Sequence, residues 1–157
     1  MKGSYFSEDV KDFLGLLHHY EVKYVIVGGE AVIYYGYPRL TGDIDFFYNS
    51  DSHNSKSLFN ALLEFWEQNI PGIDTYKQLQ SPGYVIQFGI PPNRIDLINN
   101  IDGVSFEEVW EGRKTESLSI NNKKIPVNYI GLTHLIINKR HSGRNKDAED
   151  LNYLEKI

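Results

Sequence analysis

The segment TGDIDFFY, residues 41–48, places two carboxylates, Asp43 and Asp45, in an otherwise apolar run. Such a run predicts a strand over residues 43–48. Alternate residues of a strand project from the same face, so Asp43 and Asp45 lie together while Ile44 points the other way. Two like charges on one face are costly unless a cation neutralises them, and a hard cation such as Mg²⁺ prefers oxygen ligands. Taken alone, the pair also fits a solvated strand face.

A third acid, Asp96, interrupts the apolar segment RIDLI at residues 94–98, which also predicts a strand. If this strand lies beside the strand of Asp43 and Asp45, the three carboxylates form one cluster. Such a cluster can hold two divalent metal ions about 3.5–4 Å apart, an arrangement suited to phosphoryl or nucleotidyl transfer. The candidate catalytic and metal-binding residues are therefore Asp43, Asp45 and Asp96.

The segment VIVGG, residues 25–29, predicts a short strand that ends in a glycine turn, and a helical segment follows at residues 30–35. Gly28 and Gly29 therefore lie where a strand passes into a helix. Free backbone N–H groups and the helix dipole favour a phosphate group at such a point. A glycine pair is also common in turns that bind nothing, so its significance depends on the nearby carboxylates.

The whole pattern predicts an α/β (α+β) fold in which a short, mixed, strongly twisted sheet is flanked by helices. Helices are predicted at residues 7–20 with Ser7 as cap, at 56–68 after a start at Asp51 or Ser52, at 105–110 with a capping box, and at 133–141 and 146–156, separated by Gly143 with Asn145 as a cap. Further strands are predicted at residues 24–27, 84–88, 117–120 and 124–129. We expect the carboxylates to stand at one edge of this sheet, in an open cleft.

Composition restricts the class of protein. With 157 residues, the chain can bury one core and is too short for two ordinary domains, which predicts a single domain over residues 1–157. The absence of cysteine excludes disulfides, thiolate zinc sites and a cysteine nucleophile, and the five histidines lack ligand spacing. Residues 1–7 lead into charged positions too soon for a signal peptide, and no run could cross a bilayer. We therefore expect a cytoplasmic protein that makes no use of a membrane.

Charge restricts the partners. The net charge is −5, so the field of the whole molecule does not attract a nucleic acid, and any phosphate group must bind at a local basic patch. The candidate patch combines Lys139, Arg140, Arg144 and Lys146. We expect Asp147 and Asp150 to cap and brace the last helix, because acids in a first turn complement the helix dipole.

In combination, these motifs resemble those of the DNA polymerase β-type nucleotidyltransferase superfamily. Its signature is a hydrophobic strand with Gly-Gly or Gly-Ser, then Asp-x-Asp or Asp-x-Glu, then a third acid on a later strand. The matching segments here are VIVGG at 25–29, TGDIDF at 41–46 and IDL at 95–97. Nearly the whole chain is also similar to small bacterial nucleotidyltransferase-like proteins, among them abortive-infection, toxin-type and antibiotic-modifying enzymes. The segments that carry this second similarity are GGEAV at 28–32, RLTGDID at 39–45 and KDAEDL at 146–151.

The resemblance implies transfer of a nucleoside monophosphate from an NTP to an acceptor, with release of pyrophosphate. It implies two Mg²⁺ ions held by Asp43, Asp45 and Asp96. The residues that it implies for binding the nucleotide are Gly28, Gly29, Arg39 and Lys139. Gly29 stands where many members carry a serine that contacts the triphosphate, so backbone N–H groups would make that contact here.

Several alternatives stay open at this point. The acceptor is a tRNA, a protein or a small molecule, and either a partner protein or a homodimer would be compatible with so short a chain. A protein of this fold could also be a non-catalytic binding module, such as a toxin–antitoxin component. A nucleic-acid-binding domain without chemistry fits less well, because the chain is acidic and lacks a stripe of aromatic and basic residues.

Overall fold

The computed structural model describes residues 5–157, and its strands form a six-stranded mixed sheet. The strands are β1 (Tyr24–Val27), β2 (Asp43–Tyr48), β3 (Val85–Phe88), β4 (Arg94–Ile98), β5 (Lys114–Ile120) and β6 (Lys123–Tyr129). Their order across the sheet is β3-β4-β2-β1-β6-β5. The pairs β1–β2, β3–β4 and β5–β6 are antiparallel, whereas β2–β4 and β1–β6 are parallel. The predicted mixed sheet is confirmed.

Helices connect these strands and cover the sheet. They are α1 (Glu8–His19), α2 (Gly28–Tyr34), α3 (Ser52–Phe65), α4 (Phe106–Glu111), α5 (Leu132–Ser142) and α6 (Asn145–Leu154), with a 3₁₀ turn at Tyr76–Gln80. Ser7, Asp51 and Ser105 each accept a hydrogen bond from the backbone N–H group three residues further on. The three predicted caps are therefore confirmed, and the Ser105–Glu108 pair forms the predicted capping box.

The alternation of side chains along β2 divides the core into two layers. Ile44, Phe46 and Tyr48 pack with α1 and α3 on one face of the sheet. Phe47 packs on the other face, with α4, α5 and α6. Because Asp43 and Asp45 have the same parity as Phe47, their carboxylates lie on the α5–α6 side of the sheet.

Several predicted boundaries were wrong for local reasons. Helix α3 ends at Phe65 instead of continuing to residue 68, because Glu67 and Gln68 adopt left-handed backbone angles, with φ of 50° and 72°. Strand β5 begins three residues earlier than expected, since its polar first residues lie on an edge strand and carry no apolar signal. Helix α6 begins at Asn145, so the residue before it, and not Asn145, holds the cap position.

The expectation that the carboxylates stand at an edge of the sheet was also wrong. Strands β2 and β4, which carry them, are inner strands with a neighbour on each side. Within residues 5–157, no helix is long and apolar enough to cross a membrane. Residues 1–4, on which the signal-peptide argument partly depends, lie outside the described residues.

Candidate active site

Asp43, Asp45 and Asp96 come together because β2 and β4 are adjacent parallel strands. In this register Asp45 is opposite Asp96, and Asp43 is opposite Arg94. One carboxylate oxygen from each aspartate lies within 4.8 Å of the others. Oxygen donors at such spacing suit a hard divalent cation, so the three residues fit the metal site that the sequence predicts.

Burial and mutual repulsion define the electrostatics of this cluster. Burial and, to a smaller extent, the negative charges of Asp43 and Asp96 together raise the pKa of Asp45 to about 7. Burial also raises the pKa of Asp96, against a hydrogen bond from Arg94 that lowers it. The cluster therefore holds more negative charge than its surroundings readily stabilise, which is the electrostatic condition for binding a cation.

Arg94 contacts this cluster in a role that the sequence did not indicate. Its Nη2 lies 2.7 Å from Oδ2 of Asp43 and 3.1 Å from Oδ2 of Asp96, and its Nε lies 2.9 Å from Oδ1 of Asp96. The sequence did indicate that Arg94 projects from the same face of its strand as Asp96, because these two residues have the same two-residue spacing on β4 as Asp43 and Asp45 on β2.

The glycine pair allows the start of α2 to lie close to β2 and to the segment before β2. Gly28 has φ of +66°, and a Cβ atom there would overlap the carboxylate of Asp45. A Cβ atom at Gly29 would lie 2.6 Å from Oγ1 of Thr41 and 3.0 Å from Nη2 of Arg39. The glycines thus allow the Asp-x-Asp strand and the segment before it to pack directly against the start of α2.

Lys139 belongs to a buried ion network on the α5–α6 side. Only 2% of its side chain is exposed, and its Nζ lies 2.8 Å from Oδ1 of Asp147 and 3.1 Å from Oδ2 of Asp150. Arg39 forms a two-point contact with Asp150 through Nε at 3.0 Å and Nη2 at 3.1 Å. Arg144 binds Asp147 through Nε at 2.9 Å.

Asp147 and Asp150 are therefore more than the helix cap and brace that we expected. Both are at most 1% exposed and serve as counter-ions for the candidate nucleotide-binding cations. Burial favours the neutral form of Asp147, but hydrogen bonds from Arg144, Lys139 and Ser142 outweigh it and hold the pKa of Asp147 well below its usual range. Because Arg39 and Asp150 are far apart in the sequence, nothing in the sequence indicated that they pair.

A cavity of about 300 Å³ opens beside the carboxylate cluster. Its lining includes Gly28, Asp45, Lys139 and Arg144, together with the amide side chains of Asn100 and Asn138. The structure thus brings together one glycine, one carboxylate and one cation from the predicted site. Gly29 and Arg39 lie beside Thr41, around the start of α2, and do not line this cavity.

Comparison with known proteins shows the fold and the family. The fold is shared with a Thermotoga maritima protein, provisionally assigned as a nucleotidyltransferase, whose crystal structure superposes with a TM-score of 0.55 over 94% of this chain and 91% of that chain, at 16% identity. Residues 6–157 match the model of the family described as nucleotidyl transferase of unknown function (DUF2204), and the chain belongs to this family. A search of curated proteins gave no match. The resemblance inferred from the motifs is confirmed.

Proposed function

We propose that the protein transfers a nucleoside monophosphate from an NTP to an acceptor, with two Mg²⁺ ions held by Asp43, Asp45 and Asp96. The supporting observation is the meeting of these three carboxylates on adjacent strands, with oxygens within 4.8 Å of one another. Membership of a nucleotidyltransferase family supports this class of reaction, and the spacing of the three carboxylates supports the proposal that they hold the metal ions.

In the reaction, an acceptor oxygen or other nucleophile attacks the α-phosphorus, and the bond to the departing pyrophosphate breaks. Bound divalent cations would stabilise the charge that develops on the phosphate. Asp43 and Asp45 would hold both ions. Asp96 would hold the ion nearer the acceptor and accept the acceptor's proton.

The triphosphate would lie along the cavity that Gly28, Lys139 and Arg144 line. Backbone N–H groups of Gly28 and Gly29 are positioned at the start of α2, where they would contact phosphate oxygens. Lys139 and Arg39 would contribute positive charge, with Asp147 and Asp150 keeping these cations in place. The acceptor is a tRNA, a protein or a small molecule, and a partner protein or second copy would complete its binding surface.

One observation favours a second candidate, a non-catalytic binding module such as a toxin–antitoxin component. Arg94 already partly neutralises Asp43 and Asp96, so these two carboxylates have a counter-ion without a metal ion. Calorimetry with ATP, GTP, CTP and UTP, each with Mg²⁺ and with EDTA, separates the two candidates. The transferase should bind at least one NTP in a Mg²⁺-dependent manner, and a screen of labelled NTPs against tRNA, proteins and antibiotics should then reveal the acceptor. Absence of Mg²⁺-dependent binding would favour the binding module.

A further inference from the structure

Arg94 places a positive charge at the oxygens that the proposed metal ions require. It is held by Oδ2 of Asp43 and by both oxygens of Asp96, which are three of the six oxygens in the cluster. We propose that Arg94 couples metal binding to nucleotide binding, so that this site takes up its metal ions together with the NTP. This proposal rests on the function proposed above.

The first step of the argument concerns free metal. Arg94 must leave Oδ2 of Asp43 and both oxygens of Asp96 before those oxygens can serve as metal ligands, because two cations at one carboxylate oxygen repel each other at short range. Among the described residues, these two acids are the only ones with which Arg94 forms an ion pair. A displaced guanidinium therefore loses its counter-ions, and this loss weakens the binding of metal alone.

The second step concerns the nucleotide. A triphosphate offers pairs of anionic oxygens that the planar fork of a guanidinium can bind at two points. The Arg94 side chain is 29% exposed, so it can turn outward without opening the core, while Ile95 and Leu97 keep its strand anchored in the sheet. The phosphate oxygens thus replace the carboxylates that Arg94 gives up, and metal and nucleotide each increase the other's affinity by the same factor.

The test is a titration of the full chain with Mn²⁺, in the presence and absence of a non-hydrolysable ATP, GTP, CTP or UTP analogue, followed by electron paramagnetic resonance. The variants are Arg94→Gln and Arg94→Lys. Lys11→Gln is the matched control, because Lys11 pairs with Glu8 on α1, on the face of the sheet opposite the carboxylate cluster. Circular dichroism establishes that each variant is folded.

We expect Arg94→Gln to bind free Mn²⁺ at least about tenfold more tightly than the parent, since one competing charge is removed. The increase in Mn²⁺ affinity that the analogue produces should shrink by a similar factor. Arg94→Lys keeps the charge but lacks the planar fork, so its affinity for free Mn²⁺ should lie between those of the parent and Arg94→Gln. Lys11→Gln should match the parent.

Equal or weaker binding of free Mn²⁺ by Arg94→Gln would overturn the coupling and leave the proposed function intact. If Arg94→Gln does not fold, Arg94→Lys decides, and an affinity no higher than that of the parent overturns the coupling. If the parent and all variants bind no Mn²⁺ with any analogue, the proposed function itself fails, and the coupling fails with it.

Discussion

Asp96 differs from its two partners in its surroundings. It is buried, with 6% of its surface exposed, while Asp43 and Asp45 are only partly buried. It also accepts a hydrogen bond from Nε2 of Gln87, at 3.4 Å, on the neighbouring strand β3. Asp96 therefore lies on the β3 side of the cluster, one strand further than Asp45 from β1 and Gly28.

For Asp96→Asn we predict that Mg-NTP binding survives and turnover falls. Asp43 and Asp45 still hold the nucleotide-bound ion, but the acceptor loses a metal ligand and its base, which together are worth at least about 100-fold in rate. Calorimetry should give an affinity within about threefold of the parent, while transfer of labelled nucleotide collapses. Transfer at the parental rate would remove Asp96 from the mechanism.

For Asp45→Asn we predict the loss of Mg²⁺-dependent NTP binding from a protein that is folded and at least as stable as the parent. The amide is neutral, so it no longer repels Asp43 and Asp96. Urea unfolding at pH 8 with EDTA should show a gain on the order of 1 kcal/mol. Asp12→Asn, at an exposed position on α1, is the control and should change neither property. Parental Mg-NTP affinity in Asp45→Asn would contradict the proposed cluster.

At the scale of elements, the passage from β1 into α2 positions the site. This junction has room for glycine only, because the carboxylate of Asp45 fills the place of a side chain at Gly28. The Thr41 hydroxyl would lie 2.6 Å from a Cβ atom at Gly29 and is 3.4 Å from Oδ1 of Asp43. The glycine pair therefore determines how β2 lies against the helix, whether or not its N–H groups contact a phosphate.

For Gly28→Ala we predict destabilisation by about 1–3 kcal/mol together with loss of Mg-NTP binding. The methyl group displaces Asp45, and the backbone at φ of +66° is strained for any side chain. Gly15→Ala is the matched control, because a Cβ atom there meets nothing within 4 Å inside α1. The control should gain up to about 1 kcal/mol. Thermal unfolding measures the stability of both variants. Equal changes in stability for Gly28→Ala and Gly15→Ala would show that Asp45 can move at no cost.

At the scale of the whole molecule, the buried ion network joins distant parts of the chain. Asp150 in α6 pairs with Arg39, which precedes β2 by a few residues, and with Lys139 in α5. The two C-terminal helices are thereby fixed to the segment that leads into the carboxylate strand. Because these charges are buried, removal of one charged side chain leaves the charge of its partner without a counter-ion.

For Asp147→Asn we predict destabilisation by about 3 kcal/mol at pH 7, the cost of breaking a buried pair. The folded-state pKa of Asp147 lies below its unfolded value, so its contribution is complete above about pH 4 and is lost as pH falls through the folded-state pKa. Urea unfolding from pH 7 to pH 2 should show the parent and variant converging in acid. Glu155→Gln, which breaks an exposed pair, should cost at most about 1 kcal/mol at any pH. A constant difference between parent and Asp147→Asn would contradict this assignment.

The sequence by itself determined the class of fold, the family resemblance and the three carboxylates. An acid in an apolar strand is a strong local signal, because the two-residue period of a strand places Asp43 and Asp45 on one face whatever surrounds them. The position of Asp96 beside the other two acids depended on β2 and β4 being adjacent, and in the structure they are. The same local signals did not reveal that these strands lie inside the sheet.

Only the tertiary structure decided the partners of the charged residues. Arg94 contacts Asp43 across 51 positions of sequence, and Arg39 contacts Asp150 across 111. A charged side chain has no periodic signature that identifies its partner, since the pairing depends on strand order and on how α5 and α6 pack against the sheet. The sequence therefore indicated that Asp147 and Asp150 are surface acids of a first helical turn. In the structure, α6 packs over Lys139, and both acids are its buried counter-ions.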